Sequence, residues 1–358
     1  MTAESRVRSL RALMVRSEVH ALLVTNLTNV RYLTGFSGTN GQVFVSPERL
    51  VFLTDPRYRA RAADLVEGAD IEIYPNRLTD VLGPLLQMAK VKRLGVEAQT
   101  MTLAARDELA GRLEEIELVP TTGLVEELRR SKDDEEVALL KEAVALGDEA
   151  FSWVLDRIVP GATERQIALD LEIKMREMGA DEVSFPPIVG SGPLSAHIHH
   201  TPSERELQKG DLVLLDLGCR RRGYCSDLTR TVVLGSATDQ QRELYQVVLE
   251  AQLQGIEAVA PGSRSRAVDA QARGIIEKAG FGDRFGHGLG HGVGLEVHEE
   301  PRLRRISEDT QQRGDVVTLE PGVYLDGVGG VRIEDIVLVT ETGREVLGSA
   351  PKHELIEL

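Results

Sequence analysis

Two pairs of acids and one glycine-rich, histidine-bearing stretch are the residues of this sequence best suited to chemistry. Asp216 and Asp227 lie in GDLVLLDLGCRRRGYCSDLTRT, and Glu320 and Glu334 lie in GDVVTLEPGVYLDGVGGVRIEDIVLV. The stretch FGHGLGHGVGLEVHEEP, residues 285–301, holds three of the chain's eight histidines. Glycine lets a backbone approach a ligand closely. Histidine titrates near neutrality and is the commonest metal ligand. A phosphate loop should carry a Lys and a Ser or Thr behind its glycines, and this stretch has neither.

Each acid pair reads as a β-hairpin. Turn residues Arg220 to Gly223 separate Asp216 from Asp227, and a turn centred between residues 221 and 222 sets the two face to face. Cross-strand partners have Cβ atoms ~5 Å apart. A turn centred on Gly327 faces Glu320 to Glu334 in the same way. Four ionised carboxylates so close cannot stand alone: one like-charge pair at about 4 Å costs ~4 kcal/mol at an effective dielectric of about 20. Either protons are shared or cations are bound. Oxygen ligands with one imidazole suit Mn²⁺ or Co²⁺. Four acids exceed what one cation needs, so a dinuclear site is expected, able to bridge a hydroxide and clamp a carbonyl oxygen.

The elements that must position these groups read as a duplicated unit behind a separate one. Residues 1 to about 127 alternate helical patterns with the strand-like runs HALLVTN, GQVFVS, RLVFLTD and RLGVE, an α/β domain with a mostly parallel or mixed sheet. The Arg-rich start reads as the first helix rather than as a leader. From residue 128 the character changes. Ser131 with Asp134 reads as a capping box opening a helix over 133–159, closed by Pro160-Gly161. Thr163 with Gln166 opens a second helix that stops at Gly179. A helix over 239–260, entered at Thr238 with Gln241, again ends in Pro-Gly, and another runs to Gly280. GDLVLLDLG (210–218) and GDVVTLEPG (314–322) repeat 104 residues apart. Two α-plus-β halves about a pseudo-two-fold axis are predicted, with both acid pairs converging on that axis.

Composition narrows the partners. The 358 residues are 42% hydrophobic and 28% charged, an ordinary globular balance. A net charge of -15 argues against a nucleic-acid partner. No apolar run approaches the roughly 18 residues that span a bilayer, so no membrane partner is expected. Two cysteines, Cys219 and Cys225, make no disulfide framework, and a reducing cytoplasm fits. They read as small buried residues rather than metal ligands.

DLGCRRRGYCSDLTRT, GHGLGHGVGLEVHEEP, LEPGVYL and GGVRIEDIVLV together resemble the metallopeptidase family that contains Xaa-Pro dipeptidase (prolidase) and aminopeptidase P. NVRYLTGFSGTNG and FLTDPRYRARA resemble its N-terminal, creatinase-type domain, so the resemblance covers nearly the whole chain. It implies an α+β pita-bread catalytic domain over 128–358, preceded by a smaller α/β creatinase-type domain over 1–127. It implies five metal ligands, Asp216, Asp227, His291, Glu320 and Glu334, with Asp227 and Glu334 bridging two divalent ions per subunit. Mn²⁺ is the expected ion, with Co²⁺ or Zn²⁺ as alternatives. By the same resemblance Glu320 is the general base, His298 stabilises the tetrahedral intermediate, His199 and His287 line the substrate site, and Arg332 stands beside the last ligand. On the residues alone, Arg332 could instead pair with Glu334 or Asp335.

The implied reaction is hydrolysis of an Xaa-Pro bond through a metal-bridging hydroxide. Arg302, in HEEPRL, occupies a position where some prolidases carry an arginine that takes the substrate carboxylate, and the 14-residue step from Glu320 to Glu334 looks like that of the dipeptidase forms, so the resemblance implies a dipeptidase. Aminopeptidase P acting on longer Xaa-Pro peptides, or a related peptidase with shifted specificity, is the alternative; a metal-free, creatinase-like or non-catalytic member is a remote one. Relatives of this kind are homodimers. One departure stands out: His197-Ile198 occupies the place of the family's usual Leu-Pro before the loop histidine, so the fixed proline turn ahead of His199 is missing.

Overall fold

The computed structural model describes residues 3–358. They divide into a first unit ending at Arg129 and a second spanning Arg130–Leu358.

The first unit is built on a six-stranded mixed sheet. Its strands run, in spatial order, Asp70–Ile73, Leu50–Thr54, Gln42–Val45, Ala21–Val24, Arg93–Glu97 and Glu117–Thr121. Ala21–Val24 pairs antiparallel with Gln42–Val45 and parallel with Arg93–Glu97. The four apolar runs singled out in the sequence are the four inner strands. The two outer strands, DIEI and ELVPT, carry no such signal because an edge is blunted by charge and proline.

The second unit contains the two predicted helix pairs. Asp134–Val154 and Glu164–Glu177 form the first; Asp239–Ala258 and Ser265–Lys278 form the second. Thr163 caps its helix by accepting from the Gln166 N–H, and Thr238 with Gln241 closes a full capping box. At the first helix the cap is Asp133 with Glu136, not Ser131 with Asp134. Ser131 instead donates to the Arg313 carbonyl and bridges to Asp315. That helix also ends five residues early, its last turn tightening into a 3₁₀ turn at Leu155–Arg157. Among the described residues no helix is long and apolar enough to cross a membrane.

Each helix pair covers one face of a hairpin. In the strand Leu212–Leu217, Val213, Leu215 and Leu217 join Phe151 and Leu171 in one core. In Val316–Leu319, Val317 and Leu319 join Val248 and Val268 in another. Alternation along a strand sends the intervening residues to the opposite face. Leu214 therefore packs with Tyr324 and Ala196, and Asp216 and Glu320 point away from the helices with it.

Candidate metal centre

The second hairpin has the predicted register: Leu319 pairs with Asp335 and Gly322 with Arg332, which sets Glu320 opposite Glu334. The first differs. Asp216 pairs with Thr229, and Arg221 with Tyr224, so the turn is Arg222-Gly223, one residue later than predicted. Both turn residues have positive φ, 49° and 91°. That suits a two-residue turn matching the twist of the strands, and glycine belongs at its second position. Moving the turn by one residue shifts the pairing by two, which keeps every side chain on its face. Asp227 thus stays on the face of Asp216, diagonal to it rather than opposite.

The displaced partner, Thr229, joins the two halves. Its hydroxyl donates to Glu334 Oε2 at 2.7 Å, and its carbonyl accepts the Glu334 N–H at 3.0 Å. Beside it, Arg230 is almost wholly buried and donates to the Glu334 carbonyl at 2.6 Å and to Asp335 at 2.7 Å. Lys352 and Gln252 complete the shell of Asp335.

His291 sits in the short strand Gly290–Gly292, between Glu299–Leu303 and Val316–Leu319. The glycines on either side are required by close approach. A Cβ on Gly290 would lie 1.9 Å from the Thr318 carbonyl oxygen, and one on Gly292 2.2 Å from that of Glu300. The Nδ1 of His291 is 3.0 Å from the Gly292 carbonyl, which fixes the proton there and leaves Nε2 bare. Nε2 lies 3.6 Å from Asp227 and 3.7 Å from Glu320. Asp227, His291 and Glu334 offer ligand atoms all within 4.8 Å of one another. Asp216 and Glu320 line the same cavity of about 540 Å³.

Charge in this cavity is unbalanced. Burial first, then Glu334, Asp216 and Glu320, push the Asp227 carboxyl well above the usual range. Burial and Asp216 push Glu334 up to about 8, and burial and Glu334 raise Glu320 as well. Both histidines go the other way. Burial, with His298, brings His291 down to about 3, and burial, with Arg332, does the same to His287. Neutral imidazole among crowded acids is the state that accepts a metal ion.

Arg332 is the internal counter-charge. It donates to Asp216 at 2.6 Å, to Tyr324 Oη at 2.9 Å and to Thr229 Oγ1 at 3.1 Å. Its partner is therefore Asp216, across the seam, and neither Glu334 nor Asp335. Burial opposes its charge, yet Tyr324, Asp216 and Glu320 hold its pKa well above the ordinary value. Tyr324 also bonds the Nε2 of His287 at 2.9 Å, while His287 Nδ1 meets the Gly288 carbonyl at 2.8 Å. His298 stands edge-on to His291, ring centroids 4.4 Å apart. Arg302 is the strand neighbour of His291 and lines the cavity, as do His199 and Ile198. Cys219 and Cys225 are buried, unpaired and turned to the carbonyls of Ala143 and Leu295.

Sequence reasoning missed Thr229, Arg230 and Tyr324. Parity along the strands would have found Thr229 and Tyr324, since each sits an even number of residues from an acid on its own strand path.

Comparison with known proteins finds relatives along nearly the whole chain. Residues 138–341 match the model of Metallopeptidase family M24, and residues 6–131 match that of the Creatinase/Prolidase N-terminal domain. The chain is 34% identical over 351 residues to a Xaa-Pro dipeptidase of Pyrococcus horikoshii, covering 98% of both chains. A solved Xaa-Pro dipeptidase from Bacillus anthracis is 40% identical, with a TM-score of 0.96 and full coverage of both chains. A solved X-Pro aminopeptidase from Thermotoga maritima is 32% identical, with a TM-score of 0.90 over 96% of this chain and 100% of that one.

Proposed function

The chain belongs to metallopeptidase family M24 and is a peptidase; on that premise we propose that it hydrolyses the Xaa-Pro bond of dipeptides with two divalent metal ions, Mn²⁺ in the first place. The observation that carries the proposal is the convergence of Asp227, His291 and Glu334 within 4.8 Å, with Asp216 and Glu320 on the same cavity wall. The donor set fits the metal. Three acids are raised by burial and mutual repulsion, the imidazole is held neutral with Nε2 bare, and Asp216 Oδ1 is buried with no hydrogen-bond partner among the described residues. Asp216, Asp227, His291, Glu320 and Glu334 would hold the ions. When bound, the ions supply Lewis-acid activation of water and of the scissile carbonyl.

The chain's own residues do the rest. Glu320 takes and returns the proton of the attacking water at its carboxylate. His298, kept neutral by burial and by Arg302, offers a ring N–H to the developing oxyanion. His287, fixed at both nitrogens, and His199 bind the peptide on the cavity wall. Arg302 takes the free carboxylate of the substrate, which favours dipeptides. The reaction runs in the cytoplasm, in a homodimer, without nucleic-acid or membrane partners. The likeness to an X-Pro aminopeptidase supports aminopeptidase P activity on longer peptides as a second reading.

The test is a hydrolysis panel with Mn²⁺: Ala-Pro and Met-Pro, C-terminally amidated Ala-Pro, and Ala-Pro-Ala. The proposal expects fast cleavage of the free dipeptides and little of the amide. Cleavage of the tripeptide with inert dipeptides establishes the second reading, and no cleavage of any of them refutes both.

A further inference from the structure

The turn that carries His199 is braced from outside the metal centre. The chain leaves the strand Ile188–Ser191, makes a 3₁₀ turn over Gly192–Ala196 and forms the cavity wall at Ile198–Pro202. One carboxylate holds both ends of this segment. Glu164, the first residue of its helix, has no exposed surface. Its Oε1 accepts from the Ser191 N–H at 2.8 Å and hydroxyl at 2.7 Å. Its Oε2 accepts from the Ser203 N–H at 3.0 Å, the Ser203 hydroxyl at 2.6 Å and the His200 ring at 2.8 Å.

His200 also closes the turn itself. Its N–H donates to the His197 carbonyl at 3.1 Å, the i→i+3 bond of a β-turn with Ile198 and His199 at its centre. Proline often fills the first central position, because its fixed φ forms the turn in advance. Ile198 has no such restriction, so the turn's order must come from its anchors. The site would otherwise accept proline. His197 is extended, φ -86° and ψ 108°, as a residue before proline must be. Among the described residues no backbone carbonyl accepts the Ile198 N–H.

We infer that His200 is a positioning residue: its ring, docked on Glu164, fixes the His197–His200 turn and thereby holds His199 at the cavity wall. The kinetic consequence rests on the peptidase reading above; the structural one does not. Removing the ring leaves Glu164 with four donors from Ser191 and Ser203, so the fold survives the change.

The test compares full-length, Mn²⁺-loaded parent, His200→Ala and His200→Ala/Ile198→Pro. Ala-Pro turnover, thermal melting and amide hydrogen exchange over residues 194–203 are measured for each. A turn formed only part of the time weakens binding by that fraction. His200→Ala should therefore raise KM about tenfold, leave kcat within about threefold and speed exchange about tenfold. Adding the proline should return KM and exchange to within about threefold of the parent. Unchanged KM and exchange in His200→Ala overturn the inference, and so does a loss that the proline leaves unrepaired. A parent that does not cleave Ala-Pro refutes the dipeptidase reading, while the exchange comparison still decides the turn.

Discussion

Arg332 spends its guanidinium on Asp216, Tyr324 and Thr229 in the midst of four acids, three of them raised by burial and repulsion. Removing one partner of a buried charge pair costs roughly 3–5 kcal/mol. Arg332→Met should therefore lower the stability of EDTA-treated protein by about 3 kcal/mol, at the low end because the acids can take up protons. Added Mn²⁺ should restore most of the loss, a comparison that urea melts provide. The four acids were legible as residues because carboxylates at matched places in two hairpins form a recognisable donor set; the residues promised one imidazole of the glycine-rich stretch, and only the family resemblance singled out His291. Thr229, Arg230 and Tyr324 were not. They act through hydrogen bonds to the ligands or to each other's neighbours; strand parity could have put Thr229 and Tyr324 on the acids' face, but nothing in the sequence announces which strand will lie against them, and Arg230 carries no such signal.

The strands and loops make equally specific demands. Gly290→Ala would drive a Cβ to 1.9 Å from the Thr318 carbonyl oxygen, and backbone cannot swing aside as a side chain does. The variant should lose about 3 kcal/mol of stability in urea melts and bind Mn²⁺ more weakly, because the same strand carries His291. Glu164 offers a test in acid. Burial raises its pKa, but the hydrogen bonds from Ser203, His200 and Ser191 outweigh it and hold the carboxyl below its ordinary 4.5. A lowered folded pKa gives stability that is complete above the unfolded value and is lost as pH falls through the folded one. Glu164→Gln should thus cost about 2 kcal/mol at pH 7, and the gap to the parent should narrow below about pH 4.5. Urea melts at pH 7 and pH 4 read that difference. At this scale both helix pairs and the caps at Thr163 and Thr238 were legible, whereas the first cap lies two residues later than read and its helix ends five residues before its predicted end. The first turn was placed one residue early because its glycine, Gly223, was read as the last of the turn residues rather than as the second central one. The clamp on Glu164 was not legible at all, since its donors lie 27 to 39 residues away in the chain.

In the molecule as a whole, two copies of one helix-and-hairpin plan press their acid-bearing faces together, and the repeat of GDLVLLDLG in GDVVTLEPG made that plan readable. The consequence is a fold that stores repulsion until cations arrive. Asp227, Glu320 and Glu334 have raised pKa values, Glu334 at about 8. A raised folded pKa gives stability that is complete below the unfolded value and is lost as pH rises through the folded one. Metal-free protein should therefore melt at progressively lower temperature from about pH 7.5 to pH 9, while Mn²⁺-loaded protein stays level, and calorimetry at several pH values checks it. His287 and His291, held near 3 in the folded chain, titrate near 6.5 when unfolded and so pull the other way below about pH 7.5, which is why the fall is read above that pH. The most direct test adds Mn²⁺ stepwise to EDTA-treated protein and follows bound metal and Ala-Pro cleavage in the same samples. Two equivalents per chain, with cleavage rising as they fill and both lost in Glu334→Gln, is the predicted result. Cleavage that persists without metal, or a chain that folds normally yet binds none, would contradict it.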